Sequence, residues 1–151
     1  MANEIQADYS SGETLYAVIR NRAGQVWYPA GQSFEDWGTN GRTAADYDPA
    51  LTDKGGNRHV GDFDANVPPG TYCVQVFQQL GATPADTDTL AGSRDIIWAG
   101  NAEVTATKIL ANKAVQNKAT GTISYYDDDN ETVILTHTLQ EGGSAATRTV
   151  G

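Results

Sequence analysis

The sequence predicts a mainly β protein, in which an antiparallel β-sandwich is followed by one helix and a β-hairpin. Short runs rich in β-branched and aromatic residues recur roughly every ten residues through positions 1–100, and clusters of Gly, Pro, Asn and Asp separate them. The pattern changes after Gly100, because residues 102–117 contain neither Gly nor Pro. Two domains are therefore predicted: a sandwich over residues 1–100, and a docking or oligomerisation segment over residues 101–151.

The first predicted element of the sandwich is a hairpin. Its turn contains Gly24, which suits a positive φ, and Pro29 ends its second strand because proline has no N–H to donate. Residues 30–46 are rich in Gly, Asn, Asp and Thr and predict a long loop pinned by two aromatic side chains. The predicted strands of the sandwich are residues 14–20, 25–28, 47–52, 58–63, 71–78 and 93–98.

The strand over residues 71–78 carries the clearest alternation in the chain. It places Val74 and Val76 on one face and the lone Cys73 on the other. Cysteine in such a run is predicted to be a small core residue rather than a reactive thiol. The preceding Pro-Pro-Gly-Thr-Tyr of residues 68–72 recurs in many immunoglobulin-like sandwiches, so the predicted architecture is immunoglobulin-like or jelly-roll-like.

A helix is predicted over residues 102–117. Asn101 is a candidate N-cap, and Leu110 and Val115 fall on one apolar stripe, while Ile109 points off that stripe. A helix of about four turns is not stable alone in water. It is therefore expected to pack on the sandwich, on the following hairpin or on copies of itself.

The predicted hairpin that follows the helix has apolar side chains on both faces. Val133, Leu135 and Leu139 point one way and Ile134 points the other. Because an isolated two-stranded hairpin is marginal in water, we expect another subunit to cover it, and residues 141–151 to be flexible or a late edge strand. The predicted strands are residues 122–126 and 132–138, and the candidate assembly residues are Ile109, Leu110, Val115, Val133, Ile134 and Leu135.

Charge excludes several classes of function. The net charge is −9 and the pI is about 4.4, so neither a nucleic acid nor an anionic membrane surface is an expected partner. No apolar run is long enough to span a bilayer, and the N-terminal residues lack the pattern of a signal peptide. Residues 1–100 carry a net charge of −7 and residues 101–151 only −2, which predicts a solvated first domain and a second domain that faces a partner.

No catalytic constellation stands out, and the sequence predicts no cofactor and no metal. His59 and His137 lie in different segments and are predicted to be structural, at surface or half-buried strand positions. In each of three acidic pairs, the two residues are spaced so that they share one face of a strand. Such pairs are compatible with a small hydrolase or a cation site. Roles in turns are the favoured interpretation. These pairs are Asp46 and Asp48, Asp62 and Asp64, and Asp86 and Asp88; the tip Asp127, Asp128 and Asp129 is predicted to be a solvated turn.

Aromatic side chains suggest a second function. Carbohydrate-binding modules use flat aromatic rings to stack on sugars, and three rings close in sequence are candidates for that role, although core packing is the favoured interpretation. The candidate stacking residues for a host surface glycan are Trp27, Phe34 and Trp37.

Several phrases of the sequence resemble proteins of tailed bacteriophages and prophages. Residues 112–129 and 133–138 look like a C-terminal segment of phage structural proteins. The phrases that resemble a small phage β domain are Thr14-Leu-Tyr-Ala-Val-Ile-Arg20, Gly24-Gln-Val-Trp27, Val60-Gly-Asp-Phe63, Pro69-Gly-Thr-Tyr72 and Ile97-Trp-Ala-Gly100.

The resemblance implies an accessory virion structural protein without catalytic residues. Such a protein is made in the host bacterial cytoplasm and works in the virion, either on the tail, baseplate or fibre side or as a head decoration or cement protein. Its expected partners are copies of itself, with a trimer favoured because phage appendages often have threefold symmetry, and other phage structural proteins. A carbohydrate-binding module for a host glycan is the alternative.

Overall fold

The computed structural model describes residues 3–142 and 145–150, with side chains as far as Thr138. The chain divides into two compact units, Met1–Gly100 and Asn101–Gly151. The described residues form antiparallel sheets and one α-helix. The predicted fold class, a mainly β protein with a sandwich-like arrangement and a helix, is confirmed.

Two antiparallel sheets build the first unit. Its strands are β1 (Ile5–Asp8), β2 (Leu15–Arg20), β3 (Val26–Tyr28), β4 (Ser33–Glu35), β5 (Thr52–Asp53), β6 (Arg58–Gly61), β7 (Gly70–Gln78) and β8 (Thr89–Trp98). The larger sheet has the order β4-β3-β2-β7-β8, and the smaller has the order β1-β6-β5.

The central strand β2 is buried on both faces, because both faces of the larger sheet are covered. Leu15, Ala17 and Ile19 point toward the smaller sheet, whereas Tyr16 and Val18 point the other way. All five side chains are buried, which explains why this strand is continuously apolar. The core between the two sheets contains Ile5, Leu15, Ala17, Ile19, Trp27, Leu51, Phe63, Val67, Tyr72, Val74, Val76, Ile96 and Trp98.

The segment of residues 36–47 covers the second face of the larger sheet. Ala44 and Tyr47 pack on Tyr16 and Val18, and two single-turn 3₁₀ helices shape the segment. Asp46 fixes the second of these turns by accepting a hydrogen bond from the Thr43 N–H at 2.8 Å. The prediction of a strand over residues 47–52 was wrong for most of its length, since this packing draws Tyr47 into a turn.

The elements with the clearest sequence patterns and turn residues were predicted correctly. The hairpin of β2 and β3 is confirmed, with Gly24 at a φ of 85° in its turn. In β7 the predicted alternation holds: Tyr72, Val74 and Val76 are buried, and Cys73 is half-buried on the outer face. Cys73 is therefore not the core residue that the sequence predicted, and burial raises the pKa of its thiol.

Tyr72 ties the start of β7 to the turn before it. Its hydroxyl donates a hydrogen bond of 2.7 Å to the carbonyl of Pro68, four residues earlier. A tyrosine that bonds back to the backbone a few residues upstream is a feature of immunoglobulin-like sandwiches. The Pro-Pro-Gly-Thr-Tyr phrase thus has a structural role in holding the corner.

The second unit is one four-stranded antiparallel sheet with a short helix. Its elements are α1 (Ala106–Ala111), β9 (Ala114–Asn117), β10 (Thr122–Tyr126), β11 (Val133–Gly142) and β12 (Ala145–Val150), and the strand order is β12-β11-β10-β9. The predicted hairpin corresponds to β10 and β11. Of the two outcomes foreseen for residues 141–151, the edge strand is found as β12, whereas the side chain of Leu139 lies outside the described residues.

The helix is much shorter than the sequence predicted. Thr105, not Asn101, is its N-cap, and its hydroxyl accepts a hydrogen bond from the Lys108 N–H at 3.2 Å. Asn112 takes an extended backbone, and its side-chain amide donates to the carbonyl of Tyr126 at 3.3 Å. The chain after it pairs with β10 as a strand, so the predicted helical stripe through Val115 does not form.

Candidate functional site

The four-stranded sheet of the second unit has two chemically different faces. Pairing places Val115 beside Ser124, and Val133 beside Tyr126, on one face with a row of threonines. On the opposite face lie Ile123, Tyr125, Leu135 and His137. A bulge in β11 inserts Ile134 between the paired residues 133 and 135, and this explains why Ile134 and His137 are both buried although an odd number of positions separates them.

The candidate assembly residues differ in exposure. Leu110 is 86% exposed, Val115 42% and Val133 41%, whereas Ile109 and Leu135 are half-buried. The sequence predicted Leu110 on the apolar stripe and Ile109 off it, whereas Leu110 is exposed and Ile109 is half-buried. The sixth residue, Ile134, is only 4% exposed. Its assignment to a contact surface was wrong, since the bulge turns it inward.

Few of the described side chains in the second unit are buried. Among the described side chains of residues 101–138, those that are buried belong to Ala102, Ile134 and His137, and only Ile134 is a large aliphatic group. The first unit, by contrast, has a continuous core of large apolar residues. The described side chains of residues 101–138 therefore do not form an internal hydrophobic core of the size that normally stabilises a sheet.

Polar contacts fix the acidic tip between β10 and β11. Lys108 of α1 forms a 2.6 Å ion pair with Asp127. Asp129 accepts hydrogen bonds from the side chain and backbone of Thr132 and from the backbone of Glu131, and these bonds lower the pKa of its carboxyl group. The triple aspartate thus forms a turn, which the sequence predicted to be solvated, and hydrogen bonds and an ion pair hold it.

A cleft of about 380 Å³ opens on the outer face of the larger sheet in the first unit. Its floor includes Arg20 of β2 with Gln75 and Phe77 of β7, and its walls include Trp37 and Asp86 from two different loops. We call this feature the sheet cleft. Its volume falls within the range of about 300–1,000 Å³ that is usual for ligand pockets.

Asp86 joins the two loops that form the walls of the sheet cleft. Its Oδ1 atom accepts a hydrogen bond from the Ala44 N–H at 2.9 Å, and its Oδ2 atom accepts one from the Trp37 indole at 3.4 Å. Asp88 holds the second loop itself, by accepting from the N–H groups of Leu80 and Ala85. The bond to Leu80 contributes most to the lowered pKa of Asp88.

The three predicted glycan-stacking rings do not form one platform. Trp27 is 2% exposed, and its indole donates a 2.7 Å hydrogen bond to Asp64, so it is a core residue and the stacking assignment was wrong for it. Phe34 is half-buried and packs on the rings of Trp27 and Tyr72. Trp37 lies in a different place, at the wall of the sheet cleft.

The acidic pairs have structural partners. Asp64 receives the Trp27 indole, Asp62 accepts from the backbone of Asn3, and Asp46 caps its turn. Burial raises the pKa of Asp48. Over residues 3–142 and 145–150, no three or more His, Cys, Asp or Glu side chains group closely enough to hold a metal ion.

Both histidines are buried, not half-buried or exposed as predicted. His59 is fully enclosed, with its Nε2 atom 3.0 Å from the carbonyl of Glu13, and His137 packs edge-on against Tyr125. The two histidines lie in separate units. Within the described ranges, no helix combines the length and the apolar character that crossing a bilayer requires.

No protein-family model matches the chain, and comparison with curated proteins and with solved structures gave no match.

Proposed function

We propose that the chain is a non-enzymatic structural subunit of a bacteriophage virion. Its first unit is displayed on the particle, and its second unit docks to further copies of the chain and to neighbouring virion proteins. The resemblance of several sequence phrases to phage structural proteins supports this proposal. Both placements remain open to it: the tail, baseplate or fibre side, and the surface of the head.

The scarcity of buried apolar side chains among residues 101–138 is the observation that carries the proposal. A sheet with one large aliphatic side chain buried among its described residues gains little free energy from its own packing. Three apolar side chains of the second unit are instead exposed: Leu110 on α1, Val115 on β9 and Val133 on β11. A partner that covered them would supply the missing apolar contacts.

The distribution of charge agrees with this assignment. The first unit carries a net charge of −7 and the second only −2. A low charge reduces the electrostatic repulsion when copies of the same surface meet, while the strongly acidic first unit stays solvated.

Immunogold electron microscopy tests the virion assignment. Antibody against the purified chain is applied to intact phage particles from a lysate that contains the protein. We expect gold particles at one defined position on the tail, baseplate, fibres or head. Gold on free protein alone, with none on particles that are fully accessible to antibody, would contradict the proposal.

A further inference from the structure

The sheet cleft carries a second inference, which is independent of the assembly surface. The side chains of Gln75 and Trp37 hold the guanidinium of Arg20 in a fixed position. The Nε atom of Arg20 donates a 2.7 Å hydrogen bond to Gln75, and one terminal nitrogen of Arg20 donates to the carbonyl of Gly24 at 3.0 Å. The guanidinium also lies 4.9 Å from the centre of the Trp37 ring. Arg20 is thus held from three directions before any ligand arrives.

These side chains keep hydrogen-bonding capacity that the described part of the protein does not use. Arginine has five N–H donors. Arg20 makes one hydrogen bond from Nε and one from a terminal nitrogen. The amide nitrogen of Gln75 has no acceptor among the described residues, since only its oxygen is bonded. On the wall, the Asp86 carboxylate accepts two bonds and has lone pairs for two more.

An aromatic surface lies beside these polar groups. Phe77 stacks on Tyr16 at a centroid distance of 5.5 Å, and it remains half-buried in the cleft. The lining therefore offers donors, an acceptor and an apolar ring within one cavity of about 380 Å³. A ligand that matches it needs groups that both donate and accept hydrogen bonds, together with a flat face of C–H bonds.

We propose that the sheet cleft is a binding site for a neutral saccharide. Sugar hydroxyls both donate and accept, so they fit Arg20 and Gln75 on one side and Asp86 on the other, while the C–H face of the ring packs on Phe77. The carboxylate of Asp86 and the acidic charge of the chain disfavour an anionic ligand. The site uses one of the three rings proposed from the sequence, Trp37, as a wall that orients Arg20 rather than as a stacking platform.

Titration of the full chain with defined oligosaccharides tests the site. The neutral probes are maltohexaose, cellohexaose, mannohexaose and N-acetylchitohexaose, and the acidic probe is oligosialic acid. Saturation-transfer difference NMR and tryptophan fluorescence measure binding. We expect at least one neutral probe to bind with a dissociation constant on the order of 1 mM, as a small polar ligand in an open cleft should.

Matched variants then locate the binding. Gln75→Ala and Phe77→Ala should each weaken it about tenfold or more, whereas Thr71→Ala, on the same face of β7 outside the cleft, should leave it within about twofold. Circular dichroism identifies any variant that fails to fold. If Phe77→Ala does not fold, the comparison of saccharide binding by Gln75→Ala and Thr71→Ala tests the site. The proposal is overturned if no neutral probe binds at about 10 mM, if only the acidic probe binds, or if Thr71→Ala weakens binding as much as Gln75→Ala.

Discussion

At the scale of single residues, hydrogen bonds within the fold explain aspartates that the sequence offered as candidate catalytic or cation-binding residues. Asp64 accepts the indole N–H of the buried Trp27, and its other oxygen accepts from Asn66. Replacing Asp64 by alanine leaves the indole N–H without a partner, and we expect a loss of about 1–3 kcal/mol of folding free energy. Urea unfolding followed by tryptophan fluorescence measures it.

The matched control for this change is Asp62→Ala. Asp62 belongs to the same acidic pair but is exposed, and its bond to Asn3 is at the surface. Its replacement should change the free energy of unfolding by less than about 0.5 kcal/mol. Equal losses from the two variants would contradict the structural role assigned to Asp64.

Asp53 makes stability depend on pH. Its carboxylate accepts hydrogen bonds from the N–H groups of Gly12 and Gly55, and these lower its pKa below the ordinary value of 3.8. The stabilisation is therefore present above pH 3.8 and is lost as the pH falls through the lower pKa of the folded state. Asp53→Asn should destabilise the protein at pH 6, and the difference from wild type should shrink toward pH 2.

Urea unfolding of both proteins at several pH values checks this prediction. Asp36→Asn provides a comparison, because Asp36 makes a longer side-chain contact of 3.4 Å with Gln25. A difference between wild type and Asp53→Asn that stays constant from pH 6 to pH 2 would show that ionised Asp53 does not contribute in this way.

At the scale of elements, the N-cap of α1 provides a direct test of where this helix begins in the second unit. The hydroxyl of Thr105 accepts the hydrogen bond of the first turn, whereas Asn101 lies outside the helix and contacts the carbonyl of Val133 at 3.4 Å. Thr105→Ala should cost about 0.5–2 kcal/mol of the stability of the second unit. Asn101→Ala should cost less, and hydrogen exchange of the α1 amides distinguishes the two.

The sequence predicts elements well where local pattern and packing agree. Strand β7 alternates between buried and outward-facing residues, and both the turn before it and its buried face follow from nearby residues. The region of α1 and β9 is different. Its Ala, Lys and Leu residues favour a helix, but residues 114–117 form a strand because they pair with β10, and that pairing depends on residues further along the chain.

The candidate site was predictable only in part for the same reason. Core packing is the favoured interpretation of Trp27 in the sequence, and its burial in the core between the two sheets confirms it. The sheet cleft brings Arg20, Gln75 and Asp86 together from separated segments. Asp86 carried a sequence signal as half of an acidic pair, whereas Arg20 and Gln75 carried none.

At the scale of the whole molecule, the proposed assembly surface of the second unit can be compared with the first unit, because each unit exposes three large apolar side chains among its described residues. Leu110→Asp and Val133→Asp place a charge where contacts are expected, and each should raise the dissociation constant of the assembly at least about tenfold. Leu80, which is 62% exposed in the first unit, supplies the matched control. Leu80→Asp should leave assembly unchanged, and sedimentation velocity over a range of concentrations compares the three variants.

Light scattering coupled to size-exclusion chromatography of the full chain tests the central claim most directly. The chain has a mass of 16.1 kDa. If the second unit completes its core by assembly, the protein elutes as an oligomer, and the resemblance to phage proteins favours a trimer of about 48 kDa. A folded monomer of 16.1 kDa at every concentration, with α1 and β9 protected from hydrogen exchange, would contradict the claim.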